Sequence, residues 1–384
     1  MSNRARVIAL YLPQFHPIPE NDRWWGRGFT EWTNVGKARP LFRDHYQPHI
    51  PADLGYYDLR LPEAREAQAQ MAREYGVEGF MYWHYWFGNG RRLLERPFNE
   101  VLRSGKPDFP FALAWANETW KGFAHGLKNR NILIRQKYYG DADYIAHFNA
   151  VLPAFRDPRY IRVEGKPIFM IYKPHLLPDA AHFIDLWQGL ARQNGLPGIY
   201  FIAHHQSVND HNKSEQESLD EMMGYGFSAM NYVRLSNILN TRSLASYVWD
   251  VARRELLQRP TVRSYERAMQ YFSQPIDSDE RVIPTLIPNW DHSPRSSHHA
   301  FVFHNSTPEL FAQHIRCVLR KTAHKENQLI FVKSWNEWAE GNYLEPDLKW
   351  GRQYLEALKT ELSNFENRVK YGPAAQSECN SASL

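Results

Sequence analysis

Glu337 and Glu340 stand three residues apart in Ser334-Trp335-Asn336-Glu337-Trp338-Ala339-Glu340-Gly341, between two tryptophans and ahead of a glycine. The segment directly follows the apolar run Leu329-Ile330-Phe331-Val332, so the pair sits where a buried strand ends. Continued helically, the backbone puts both acids on one side, close enough to act on one substrate. Two neighbouring carboxylates do not ionise independently: one keeps its proton to a higher pH while the other stays charged. Making or breaking an acetal needs such an acid/base pair, and the flanking indoles offer flat apolar faces on which sugar rings stack. The plain alternative is a surface turn carrying a fortuitous pair. The tryptophans, Asn336 and the strand end favour chemistry.

Eight apolar runs can act as buried strands: 7–15, 79–86, 111–118, 167–174, 199–205, 228–233, 282–290 and 329–335. Helical patterns separate several of them. Ala64, Ala67, Met71 and Tyr75 mark one buried face, and Thr307-Pro308 reads as an N-cap followed by Pro in the first turn. Tyr354, Leu355, Leu358, Leu362 and Phe365 define a closing helix. Fully apolar strands alternating with helices predict a parallel sheet covered on both faces. A single (β/α)8 TIM-type barrel over residues 1–371 fits the count, with a doubly wound open sheet as the alternative. Three long connections, 16–61, 119–140 and 291–306, all follow a strand's carboxyl end, where barrel enzymes build their sites. Residues 372–384 are polar and small, a composition that predicts a disordered tail.

The polar strand ends then define a cleft. They contribute Gln14 and His16, then His84, Tyr85 and Trp86, then Asn117 and Glu118. Lys173, Trp290, Trp335 and Asn336 follow, with Trp24 and Trp25 on the first long loop covering the site. Aromatic residues make 14% of the chain, an excess that suits a polyhydroxylated ligand. A net charge of +4, dispersed along 384 residues, does not predict nucleic-acid binding. No apolar run approaches the roughly 20 residues of a membrane span, and the apolar segment after the N-terminal arginines is shorter than a signal-peptide core. Only Cys317 and Cys379 occur, the first on an apolar helical face that predicts a buried thiol. A cytoplasmic protein is expected.

Other chemistries lack their signatures. There is no His-Glu-x-x-His, Gly-x-Ser-x-Gly, Walker loop or dinucleotide fingerprint. Asp141-Ala142-Asp143 and Asp277-Ser278-Asp279 match a weak Asp-x-Asp pattern, the first at a helix start and the second at the wrong end of a barrel. No metal and no cofactor are expected.

Several motifs in order resemble WbsX-type proteins. They are Tyr11-Leu12-Pro13-Gln14-Phe15-His16-Pro17, Trp24-Trp25-Gly26-Arg27-Gly28-Phe29-Thr30-Glu31-Trp32-Thr33-Asn34-Val35, His84-Tyr85-Trp86-Phe87, Trp115-Ala116-Asn117-Glu118 and the segment 335–346. The resemblance runs over about residues 6–365. That group is related to glycoside hydrolase family 99, the endo-α-mannosidases, and is associated with bacterial surface-polysaccharide synthesis. The resemblance implies a (β/α)8 barrel in which Glu337 deprotonates a sugar's 2-hydroxyl, giving a 1,2-anhydro sugar. Glu340 would protonate the departing oxygen and then activate water or another acceptor, with net retention. Ala339 stands where the characterised mannosidases commonly have His, and the opening Tyr-Leu-Pro-Gln-Phe-His also differs from theirs. Three readings follow: a retaining α-glycosidase acting on a bacterial oligosaccharide or polysaccharide, a glycosyltransferase or transglycosylase of surface-polysaccharide (O-antigen) synthesis, and a non-catalytic sugar-binding barrel.

Overall fold

The computed structural model describes residues 4–122, 131–206, 213–240 and 243–371. Parallel strands β1 (Arg6–Tyr11), β2 (Val77–Trp86), β3 (Phe111–Trp115), β4 (Lys166–Ile171), β5 (Tyr200–Gln206), β6 (Ala229–Val233) and β8 (Leu329–Val332) are neighbours in one sheet. The two ends of that sheet are Val282–Ile283 and Thr285–Leu286, consecutive in the chain and separated by Pro284 alone. We number them together as β7. Its first half pairs with β6, Met230 opposite Val282, and its second half with β8, Leu286 opposite Val332. Pro284 has no N–H to donate, which interrupts the ladder there, but its carbonyl accepts from the Phe331 N–H at 3.0 Å. The Asn231 amide spans the break, donating to the Ile283 carbonyl and the Thr285 hydroxyl, both at 2.8 Å. The nine short strands therefore form an eight-membered, closed barrel, as the eight apolar runs predict.

Each barrel strand is followed by a helix: α1 (Pro62–Glu74), α2 (Arg96–Ser104), α3 (Asp141–Arg156), α4 (Ala180–Gln193), α5 (Glu215–Gly224), α6 (Leu244–Leu257), α7 (Pro308–Thr322) and α8 (Gln353–Tyr371). The cap at α7 is as expected, with the Thr307 hydroxyl accepting from the Leu310 N–H and Pro308 in the first turn. Leu355, Leu358, Leu362 and Phe365 of α8 are buried. In α1 the expected face is displaced. Ala67 is exposed, while Arg65, Gln68, Ala69, Met71 and Ala72 are buried. Gln68 accepts from the Tyr11 hydroxyl (2.7 Å) and donates to Glu345 (2.6 Å), and Arg65 pairs with Glu100 (3.0 Å). Buried polar residues with partners set the helix's rotation, and an apolar count cannot register them. Cys317 is only half-buried on α7, against the expectation of a buried thiol.

The strands are shorter than their apolar runs, so the polar residues beyond Tyr11, Trp115, Ile171, Leu286 and Val332 emerge as loops on the barrel's carboxyl face. Two of the three long connections carry short helices: Pro19–Trp25 and Glu31–Gly36 after β1, and Ser293–Ser296 after β7. The loop after β7 also contributes Phe301–His304, which pairs with Thr261–Ser264 from the β6–β7 connection. The segment 372–384, expected to be disordered, lies outside the described residues, as does Cys379. No described helix is long and apolar enough to cross a membrane.

Candidate active site

Beyond β8 the chain makes a two-residue ladder, Asn336–Glu337 against Asn342–Tyr343, around a single 3-10 turn at Trp338–Glu340. With three residues per turn, positions three apart fall on the same side, which brings Glu337 and Glu340 together. Gly341 closes the turn at φ +57°, where a Cβ would lie 2.7 Å from the Asp291 Cβ. The close approach lets the Asp291 N–H donate to the Glu340 carbonyl at 2.6 Å. Trp335 and Asn336 are fully buried supports beneath the pair rather than lining residues. The Asn336 side chain accepts from the Leu12 N–H (2.8 Å) and donates to the Leu12 carbonyl (3.1 Å), which fixes the loop after β1. Trp338 stacks on Tyr343 with ring centroids 3.8 Å apart.

Charge around the pair is organised by two cations. The Arg295 Nη1 lies 2.5 Å from Glu340 and 3.7 Å from Glu337, and its Nε donates to Glu31 at 2.9 Å. The Lys333 Nζ lies 3.3 Å from Glu337 and 3.9 Å from Glu340. Burial, and then the neighbouring Glu340 charge, push the Glu337 carboxyl above its ordinary value, with Lys333 and Arg295 opposing. Burial alone would weaken the Arg295 charge, but Glu31, Glu340 and Glu337 more than offset it and hold the guanidinium protonated. His292, 3.8 Å from Glu340, is lowered to about 4, first by burial and then by Arg295. It is neutral at physiological pH.

A cavity of about 600 Å³ opens over this cluster. Gln14, Tyr85, Glu118, Trp290 and His292, at the polar end of the seventh run, line it together with both glutamates, as do Trp83, Trp120, Arg295 and Lys333, which the sequence reading did not single out. His84 and Trp86 do not line it. Side chains alternate along a strand, so Trp83 and Tyr85 face the cleft while their neighbours face the helix layer. There His84 meets His147 at 2.8 Å, and the Trp86 Nε1 donates to Asp143 at 3.0 Å.

His16 is buried away from the cavity, and burial lowers it to about 4. Asn117 is a brace, accepting from the Lys173 N–H (2.7 Å) and donating to the Lys173 carbonyl (2.8 Å). Lys173 pairs with Glu118 at 2.8 Å and lines a smaller adjoining cavity with Tyr172, His204 and His205. Trp24 packs edge-on against Trp120, which lines the cleft, and Trp25 stacks on Phe29; neither of the pair is itself among the lining residues. Asp141 pairs with His182, Asp143 holds Trp86, and Asp277 is buried against Arg234. Among the described residues no three His, Cys, Asp or Glu side chains gather as metal ligands.

Glu345, under the turn, accepts from Tyr57 (2.9 Å), Gln68 (2.6 Å) and Trp338 (2.6 Å). Burial outweighs these donors and raises its carboxyl to about 7. A folded-state value above the unfolded one gives stability that is full below about pH 4.5 and is lost as pH rises through about 7. Urea unfolding should therefore show the protein losing on the order of 2 kcal/mol between about pH 5 and about pH 8 through this group. Glu345→Gln should flatten that dependence. An unchanged slope in the variant would assign the loss elsewhere.

The family model Glycosyltransferase WbsX matches residues 7–358. The chain is 36% identical over 375 residues to the protein WxcX of Xanthomonas campestris pv. campestris, a match covering 94% of this chain and 50% of WxcX. WxcX of strain B100 is 35% identical over 367 residues, with the same coverage. The chain thus spans about half the length of the curated relatives it matches. Among solved structures, the GH99 endo-alpha-mannosidase from Bacteroides thetaiotaomicron superposes with a TM-score of 0.58 at 14% identity, covering 95% of this chain and 98% of that one. A glycoside hydrolase-like protein gives 0.55 at 16% identity, covering 94% of each chain. At such identity these likenesses establish a shared fold.

Proposed function

The chain belongs to the WbsX family, and on that premise we propose that it is a carbohydrate-active enzyme, a retaining α-glycosidase acting on a bacterial surface oligosaccharide or polysaccharide. The observation that carries the reading is the buried Glu337/Glu340 pair at the floor of an aromatic-walled cleft. In the proposed reaction Glu337 takes the proton of the sugar's 2-hydroxyl. That oxygen attacks the anomeric carbon, and Glu340 protonates the oxygen that leaves. Water then opens the resulting 1,2-anhydro sugar, giving its proton to Glu340 while Glu337 returns its own to O2. Two displacements at one carbon give net retention.

The surroundings suit these roles. Burial strengthens Glu337 as a base, because a raised pKa increases its affinity for the hydroxyl proton. The pair holds one proton, which must pass to Glu340 for the first step; that breaks its ion pair with Arg295, and the bond from Glu31 keeps the guanidinium in place when it happens. Trp83, Trp120 and Trp290 provide faces for sugar rings. None of these steps calls for a metal or a cofactor. A cytoplasmic location is part of the same proposal, since two cysteines in 384 residues are in keeping with a reducing compartment.

Replacing water by an acceptor sugar would make the same carboxylates a transglycosylase or glycosyltransferase. Incubation with the polysaccharide of the source organism, with and without nucleotide sugars, separates the two. Reducing ends released without nucleotide are the expected result; transfer that depends on a nucleotide sugar would overturn hydrolysis in favour of synthesis.

A further inference from the structure

Helix α6 carries an apolar face on the wrong side. Amphipathic helices turn apolar residues toward the core, yet in α6 the inward-facing group is Asp250, buried and bonded to Arg263 at 3.2 Å. At 100° per residue, Leu244, Val248, Trp249 and Leu256 all lie at least about 100° away from Asp250 around the helix. Their exposures are 77%, 57%, 59% and 79%. A contiguous exposed surface of that kind marks a contact, because leaving it in water is unfavourable. The only acid on this outer side, Glu255, is paired with Arg254 at 2.8 Å. No carboxylate among the described residues is in ion-pair contact with Arg253 or Arg259 at the end of the helix.

The face is also placed to matter. Arg263 belongs to Thr261–Ser264, which pairs with Phe301–His304, and Phe301 and His299 line the cleft. The same wall of the cleft continues with Leu235 and Leu239. The helix thus adjoins, through Arg263, a strand pair that reaches the wall of the cavity. Leucine, valine and tryptophan flanked by arginine form the pattern that partitions into the headgroup boundary of an anionic bilayer: apolar area drives insertion, and arginine answers lipid charge. We propose that α6 docks the barrel on an anionic lipid surface, holding the cleft beside glycans borne by that membrane. This goes beyond the proposed chemistry and does not depend on it.

Flotation with phosphatidylcholine vesicles, with and without phosphatidylglycerol in equal part, tests the inference. The full chain should float with the anionic vesicles and stay behind with the neutral ones, and salt should weaken the binding. Val248→Ser, Trp249→Ser and Leu256→Ser combined should lower binding at least tenfold, with an unchanged circular dichroism spectrum. Should that variant misfold, Arg253→Glu with Arg259→Glu, which leaves the apolar residues of the helix in place, should give the same loss. Absence of flotation by the wild-type chain, or binding indifferent to both variants, would overturn the proposal. So would a concentration-dependent dimer in sedimentation that the serine variant abolishes while vesicle binding stays absent, since the occupant would then be a second copy.

Discussion

Glu337→Gln should remove turnover, by about 10²-fold or more, while leaving the protein folded and able to bind sugar. The amide keeps the size of the carboxyl but cannot take the 2-hydroxyl proton. Stability should not fall with activity. Burial and the Glu340 charge both disfavour the ionised Glu337, so a neutral side chain there relieves a native-state penalty. The variant is accordingly expected to melt at or above the wild-type temperature. Glu340→Gln should differ in one informative respect. An aryl glycoside with a dinitrophenyl leaving group needs no protonation to depart, so Glu340→Gln should keep the first step, read as a burst of dinitrophenol, and Glu337→Gln should lose it. The reverse pattern would exchange the two roles. Full turnover in both variants would refute the roles of both glutamates.

The largest loss of stability is expected from Arg295→Met. Its guanidinium touches Glu31 and Glu340 and lies near Glu337, and all three carboxylates are buried. Removing one partner of a buried ion network leaves uncompensated charge, at about 3–5 kcal/mol. The sign of the pH dependence follows. Burial and Glu340 raise the Glu337 carboxyl, and Arg295 is one of the two cations opposing the rise; without it the deficit shrinks toward acid and grows as pH rises. Urea unfolding at about pH 5 and about pH 8 should show a wider gap from wild type at the higher value. An equal gap at both would trace the loss to packing rather than charge. Arg295→Lys should recover part of the stability but not the geometry, since an ammonium lacks the fork that reaches Glu31 and Glu340 together.

The positions of the barrel strands were legible because each is a short apolar run bounded by polar residues, and the acid pair was legible because it directly follows the last of them. Which way a strand's residues face was not. In β2 nine of ten residues are buried, so apolarity carries no phase, and His84 and Trp86 could not be told from Trp83 and Tyr85. The division of β7 at Pro284 leaves a trace in the sequence, a proline within an apolar run, but only the closed sheet shows that each half serves a different neighbour. Arg295 had no local signal. It stands in a polar loop 45 residues before Glu340, and only the folded loop after β7 carries it to the cleft floor. Lys333, one residue past the apolar run of β8, was within reach of the same strand-end argument that found Lys173.

The central claim, that Glu337 and Glu340 break a glycosidic bond through participation of the sugar's own 2-hydroxyl, is tested most directly by the configuration of the first product. Proton NMR of a polysaccharide digest, recorded before mutarotation, should show the α-anomer of the released reducing end accumulating first. A first-formed β-anomer would mean inversion by a single displacement, and would contradict the account.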